Sequence, residues 1–172
     1  MKTNIKTKNL VLTALFAAFI CVTTALFHIP TGFNGGYIHL GDAFIYLAAV
    51  VLPTPYAMLA AGIGGGLADI LSGGMVWVIP TIIIKPLMVM FFTSKTENIL
   101  YKRNVSAVFI AGIVGWFGYY LAGAVMSGNF IAPLTTFFID IIQPIGSGII
   151  FLVASYSLDK IKIRERLTIE EK

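Results

Sequence analysis

An all-α, polytopic membrane protein, a bundle of six transmembrane helices with cytoplasmic N- and C-termini, is the fold this chain predicts, on three observations. The first is composition. Of 172 residues, 58% are apolar and only 12% charged, and mean hydropathy is +0.89. A soluble domain carries about 25% charged residues, so a water-soluble fold would have almost nothing to put on its surface. The second is the spacing of apolar runs, which resolve into six candidate spans. The third is where the positive charges sit. Lys2, Lys6 and Lys8 mark the N-terminus, Lys95, Lys102 and Arg103 one internal segment, and Lys160, Lys162, Arg164, Arg166 and Lys172 the tail. The remaining basic residue, Lys85, lies inside an apolar run.

A helix needs about 20 apolar residues to cross the hydrocarbon core. The first span, 10–29, has a basic start but no small-residue cleavage site after a short core, so it reads as a retained span rather than a signal peptide. The second, 38–53, is short. Pro53-Thr54-Pro55 closes it, because proline disfavours helix in the residue before it. The third, 55–72, ends at Ser72-Gly73-Gly74, and the fourth covers 75–93. Ser94–Asn104 is the one long polar connection. The fifth span, 105–127, stops at a tight turn over 127–131, and Pro133 suits the first turn of the sixth, 132–157. The tail, 158–172, mixes charges, and Asp159–Lys172 reads as a frayed, solvated helix end. With no internal repeat or linker, residues 1–172 read as one integral membrane domain. With the N-terminus inside, all three basic segments fall inside, and the outer loops at 30–37, 72–75 and 128–131 contain no Lys or Arg. That is the positive-inside pattern. The sequence pI near 9.2 is therefore a topology signal, and no nucleic-acid partner is expected. The lone Cys21 excludes an internal disulfide and reads as a small packing residue.

Ionisable residues inside a membrane cost roughly 2.5–3.5 kcal/mol each on insertion scales, and they usually face a bundle interior. Asp42, Asp69, Lys85 and Asp140 lie in or near the spans. At about 1.5 Å per residue, Lys85 falls about 15 Å and Asp140 about 12 Å from the outer face, with Asp69 near the outer turn and Asp42 just after the outer loop. Helical spacing gathers other groups beside them. Asn129, Thr136, Asp140, Gln143 and Ser147 share one face of the sixth span. Trp77, Thr81 and Lys85 follow at intervals of four. His39, Asp42 and Tyr46 share a face, as do Cys21, Thr24 and His28, and Trp116, Tyr119 and Gly123. These stripes converge toward the outer side, as the lining of an outward-facing cavity would. Pro86 and Pro144 each remove a helix hydrogen bond beside a deep charge, and broken helix at membrane depth is tolerated where it lines a cavity or is buried in protein.

The residues expected to contact a ligand are His39, Asp42, Trp77, Lys85, Trp116, Tyr119, Thr136, Asp140 and Gln143. Lys85 and Asp140, at similar depth, form a purely structural pair or a pair that also touches the ligand. Asp42 and Asp69 are shallow enough to be merely hydrated. Trp77 and Tyr37 suit an interface belt as well as a stacking role, and mid-span Trp116 suits core packing as well as the cavity wall. His28 and His39 lack a Cys or third His at ligand spacing and read as hydrogen-bonding groups, with no metal expected. Gly62-Ile63-Gly64-Gly65-Gly66 offers close helix packing. The phosphate-loop pattern is absent, so neither a cofactor nor an engine is expected in the chain. Ala14 and Ala18, widened by Thr13 and Ala17, form a small-residue surface for packing or for a partner helix.

Three stretches carry a resemblance. They are Gly36-Tyr37-Ile38-His39-Leu40-Gly41-Asp42-Ala43, Pro53-Thr54-Pro55-Tyr56, and the glycine-rich span ending Ala68-Asp69-Ile70-Leu71-Ser72-Gly73. Together with the six-span architecture they resemble the substrate-binding S components of energy-coupling factor (ECF) transporters, in the branch with riboflavin-type, hydroxymethylpyrimidine and pyridoxine members. The resemblance implies a bacterial, multi-pass plasma-membrane protein that binds a vitamin or precursor under its first outer loop. It implies partnership with a transmembrane coupling subunit and two cytoplasmic ATPases, with toppling in the bilayer to release cargo. It also implies that Ala14 and Ala18 contact the coupling subunit. A cavity with aromatic faces, carboxylates and one cation suits a pyridoxine-like or hydroxymethylpyrimidine-like ring better than a dianion or a long flavin, with Lys85 donating to a hydroxyl or phenolate oxygen. A riboflavin-type ligand is the alternative within the family. A self-sufficient secondary transporter would need a polar path through the inner half and usually inverted repeats. An enzyme would need a nucleophile–base pair or a metal cluster, and no enzymatic activity is expected.

Overall fold

The computed structural model describes residues 5–163. Helix α1 spans Ile5–Leu26, followed by an antiparallel hairpin of β1 (His28–Pro30) and β2 (Tyr37–His39). Helices α2 (Asp42–Val51) and α3 (Thr54–Leu71) come next, then a short 3-10 turn at Met75–Trp77 leading into α4 (Val78–Val89). Helix α5 covers Lys102–Ser127, and the last pass is split into α6 (Leu134–Asp140) and α7 (Ile142–Lys160). Counting α6 and α7 as one, these are six helical passes, so the molecule is an all-α membrane protein. Large apolar side chains such as Val11, Phe109, Phe138 and Val153 are exposed. A surface like this belongs against lipid rather than water.

Three departures from the expected spans shape the site and its surroundings. First, α1 starts five residues early, so Lys6 and Lys8 ride on its first turns. Second, the outer loop is no simple loop. Thr31 N donates to Gly36 O and Gly36 N to Phe33 O, closing a turn in which Gly32, Asn34 and Gly35 take positive φ. Extended pairs such as Ile29 with Ile38 follow on either side. Third, the sixth pass breaks at Ile141. Its N–H turns to the Ile139 carbonyl, and Pro144 has no N–H to offer the Asp140 carbonyl four residues earlier.

The glycines of α3 do what small residues do in lipid, letting backbones close up. A Cβ on Gly64 would stand 2.6 Å from the Ala17 carbonyl oxygen of α1, and one on Gly66 would stand 3.0 Å from Ile82 of α4. Thr13 and Ala17 are consequently buried, while Ala14 and Ala18 point outward. Thr13 and Ala17 therefore do not widen the exposed alanine surface as expected; α3 covers them.

The inner end is sealed. Tyr46, Phe92 and Phe151 pack ring on ring at centroid separations of 5.1–5.8 Å, and all three are buried. Tyr46, expected beside His39 and Asp42 on a cavity stripe, lies in this plug one turn below Asp42. The polar connection after α4 is strapped down as well. Asp159 accepts from the backbone N–H groups of Ile99 (2.7 Å) and Leu100 (2.9 Å). The Asn104 side chain donates to the Thr93 and Ile99 carbonyls. Arg103 donates to the Phe91 and Phe92 carbonyls just beyond α4. Asp159 is thus a fastening point within α7 rather than the start of a frayed end, and residues 164–172 of the expected tail lie outside the described residues.

Candidate functional site

A hollow opens between the hairpin and the outer parts of the helices, offering about 80 Å³ to the centre of a water-sized molecule. One water needs roughly 10–15 Å³ on that measure, so the space holds several waters or a small ring. Hairpin residues Thr31, Phe33 and Tyr37 roof it, and Met88 contributes below. Glycines make the room. On α5, a Cβ at Gly112 would stand 3.0 Å from Pro144, and one at Gly115 would stand 3.1 Å from Met88.

His39, Asp42, Trp77, Trp116, Tyr119, Thr136, Asp140 and Gln143 all line this hollow. Lys85 does not. It is 2% exposed, and its Nζ sits 2.5 Å from Asp42 Oδ1 and 5.0 Å from the Tyr119 ring centre. The expected Lys85–Asp140 pair is therefore absent: the partner is Asp42. The depth estimate failed because α2 is short and begins beneath the hairpin, which puts Asp42 in the bundle interior instead of at a hydrated edge. The ammonium expected to reach a ligand oxygen is thus turned onto Asp42, behind the wall of the hollow.

Asp42 organises a chain of contacts. Gln143 Nε2 donates to Asp42 Oδ2 (2.7 Å), and His39 N donates to Gln143 Oε1 (3.2 Å). The ion pair thus ties α4 and α2 to α7, and through Gln143 to the inner strand of the hairpin. Gly41 N donates to His39 Nδ1 (3.0 Å). Burial, with the Lys85 charge adding to it, drives the His39 imidazole down to about 3. The ring is therefore neutral, and with Nδ1 accepting, its proton sits on Nε2.

Asp140 lies at the helix break and accepts from Thr136 Oγ1 at 2.9 Å. The break also seats Trp116. Because the Ile141 N–H has turned away, the Phe137 carbonyl is free to accept from Trp116 Nε1 (2.7 Å), and the indole stacks on the Phe137 ring at 4.1 Å. Trp77 Nε1 donates to the Asn34 carbonyl (3.0 Å), pinning the roof to the 3-10 turn. Tyr119 OH pairs with Thr81 Oγ1 (2.8 Å). Of the other stripe members, Asn129 is exposed and Ser147 is buried below the hollow. Cys21 and Thr24 are buried in α1, and Thr24 Oγ1 lies 3.4 Å from His39 Nδ1.

Several lining residues were not anticipated as site residues, among them Phe33, Tyr37, Asp69 and Tyr120. Tyr37 OH donates to Asp69 Oδ1 at 2.5 Å, so the hairpin covers Asp69 and leaves it 6% exposed. Burial, and then the carboxylate beside it, push the Tyr37 hydroxyl far above its ordinary range. A period-two signal was available for the hairpin: His28-Ile29-Pro30 and Tyr37-Ile38-His39 flank a Gly/Asn-rich turn.

A roofed hollow at one end of a six-pass bundle, plugged at the other, is the layout of a membrane protein that holds a small molecule for transport. The family model described as "ECF-type riboflavin transporter, S component" matches residues 4–160. The chain belongs to that family, a transporter family rather than an enzyme family, and is a multi-pass membrane protein of the vitamin-uptake type. It is also 35% identical, over 134 residues, to an uncharacterized protein in the gap 3′ region of Pyrococcus woesei, covering 76% of this chain and 87% of that one.

Proposed function

We propose that this chain is the substrate-capture subunit of an ECF-type importer. It takes a small heteroaromatic vitamin or precursor, pyridoxine-like or hydroxymethylpyrimidine-like, from the outer side, and passes it on with a transmembrane coupling subunit and two cytoplasmic ATPases. The observation that carries the reading is the one-ended hollow. Aromatic faces and carboxylates line the outer side, while Tyr46, Phe92 and Phe151 close the inner side. A self-sufficient carrier would need a polar path through that plug. Riboflavin is the second reading, favoured by the description of the matching family.

The chain has two tryptophans, and both line the hollow. Ligand entry is therefore expected to quench intrinsic fluorescence. Pyridoxine, hydroxymethylpyrimidine and riboflavin, titrated in turn into the detergent-purified protein, should give saturable quenching with at least one of them. Flat titrations with all three would remove the reading. Ala14 and Ala18 lie on an exposed stripe of α1 between Val11 and Val22 and are proposed to receive the coupling subunit. Ala18→Trp should abolish uptake of labelled vitamin by cells carrying the coupling module while leaving binding intact. Uptake that persists without the module would favour the self-sufficient carrier.

A further inference from the structure

Resting on the substrate-capture reading, we infer that the hollow selects its ligand by charge: it takes a protonated or permanently cationic heteroaromatic and rejects phosphate esters of the same ring.

Charge balance is the first argument. Asp42, Asp69 and Asp140 line the hollow, and among the described residues no Lys or Arg does. The nearby ammonium, Lys85, stands behind the wall on Asp42. One ammonium stands against three carboxyl groups, so two of the three have no cation of their own in the wall. Asp69 uses Oδ1 on Tyr37, and its Oδ2, buried, has no hydrogen-bond partner among the described residues. Asp140 accepts from Thr136 alone among the described residues and sits half-buried in the wall.

Donor accounting is the second argument, and it is independent of the first. An anionic ligand needs N–H and O–H groups aimed at it. Here the indole N–H groups of Trp77 and Trp116 are used on backbone carbonyls. The hydroxyl of Tyr120 donates to the Phe130 carbonyl, and that of Tyr37 to Asp69. Gln143 directs its amide at Asp42, which leaves the Nε2–H of the neutral His39 as a ring donor still open to a ligand, one N–H where a phosphate asks for several. What the indole and phenol groups have left for a ligand is their ring faces, and the negative face of an indole or phenol attracts cations. Ring faces and unsatisfied carboxylate oxygens together describe a cation site.

The test is a charge series on a fixed ring, read by tryptophan quenching. Pyridoxamine, pyridoxine and pyridoxine 5′-phosphate form one set. Hydroxymethylpyrimidine and riboflavin are each paired with their phosphate esters. On whichever ring binds, the phosphate ester should be weaker by at least about 100-fold, and pyridoxamine should bind about tenfold more tightly than pyridoxine. Asp140→Asn should cut both ratios severalfold. Asp69→Asn should do the same, with thermal melting used to check that each variant is folded. A phosphate ester that binds as well as its parent, or ratios unchanged in both variants, overturns the charge inference and leaves substrate capture standing. Failure of every parent ring and of pyridoxamine overturns substrate capture itself, and this inference with it.

Discussion

Replacing Lys85 with methionine is expected to cost about 3–5 kcal/mol of stability, because it leaves the Asp42 carboxylate buried without its counter-charge. The geometry makes Asp42 unusually dependent on that partner. It is 2% exposed, and its other oxygen already accepts from Gln143, so little of the carboxylate is left for solvent to stabilise. Asp42→Asn alone strands the ammonium instead and should also destabilise. Asp42→Asn combined with Lys85→Gln keeps a neutral hydrogen-bonded pair and should cost far less than the sum of the single changes. Thermal melting in detergent across this cycle measures the coupling directly. Additive losses would show that Lys85 and Asp42 do not act as a pair. The single variants should also bind ligand poorly, since Gln143 and the His39 strand hang on the same contacts.

The second large effect is expected at Gly64. A Cβ there would meet the Ala17 carbonyl oxygen at 2.6 Å and Ile20 Cβ at 2.9 Å. Neither is the free end of a flexible side chain, so α1 and α3 have to separate. Gly64→Val should therefore cost about 3 kcal/mol, the upper part of the usual range for overpacking. Gly146→Ala is the matched control. Its Cβ would make an ordinary 3.4 Å contact with Leu40, and replacing a mid-helix glycine should stabilise by roughly 0.5–1 kcal/mol. Melting midpoints that move by the same amount in both variants would sink the close-approach argument.

The helical passes were legible because a bilayer permits so few solutions: long apolar runs, punctuated by prolines and glycines and flanked by basic residues, leave little choice. The outer hairpin was harder to see, since three residues per strand give a weak period-two signal. Within the site, Thr136, Asp140 and Gln143 were readable from spacing on one helix, and the prolines beside the deep charges pointed to broken helix. Spacing along single helices does not show which helix faces which. Asp42 and Lys85 lie 43 residues apart, and only the packing of α2 against α4 brings them together. Depth counted from span ends paired Lys85 with Asp140, because it assumed every span was equally long. Asp69 and Tyr37 were missed as site residues because a carboxylate near a surface turn reads as hydrated until something folds over it.

The fastened inner end has a consequence for traffic. With Asn104, Asp159 and the three packed rings holding that end shut, the molecule is a flask with a single neck. Whatever enters by the neck must leave by it. In isolation the protein exchanges cargo only with the medium that filled it, so an off-rate measured on the purified subunit reports return to the donor side. On the substrate-capture proposal, moving cargo forward requires carrying the neck itself to the other face, and the work of that relocation falls to machinery outside this chain.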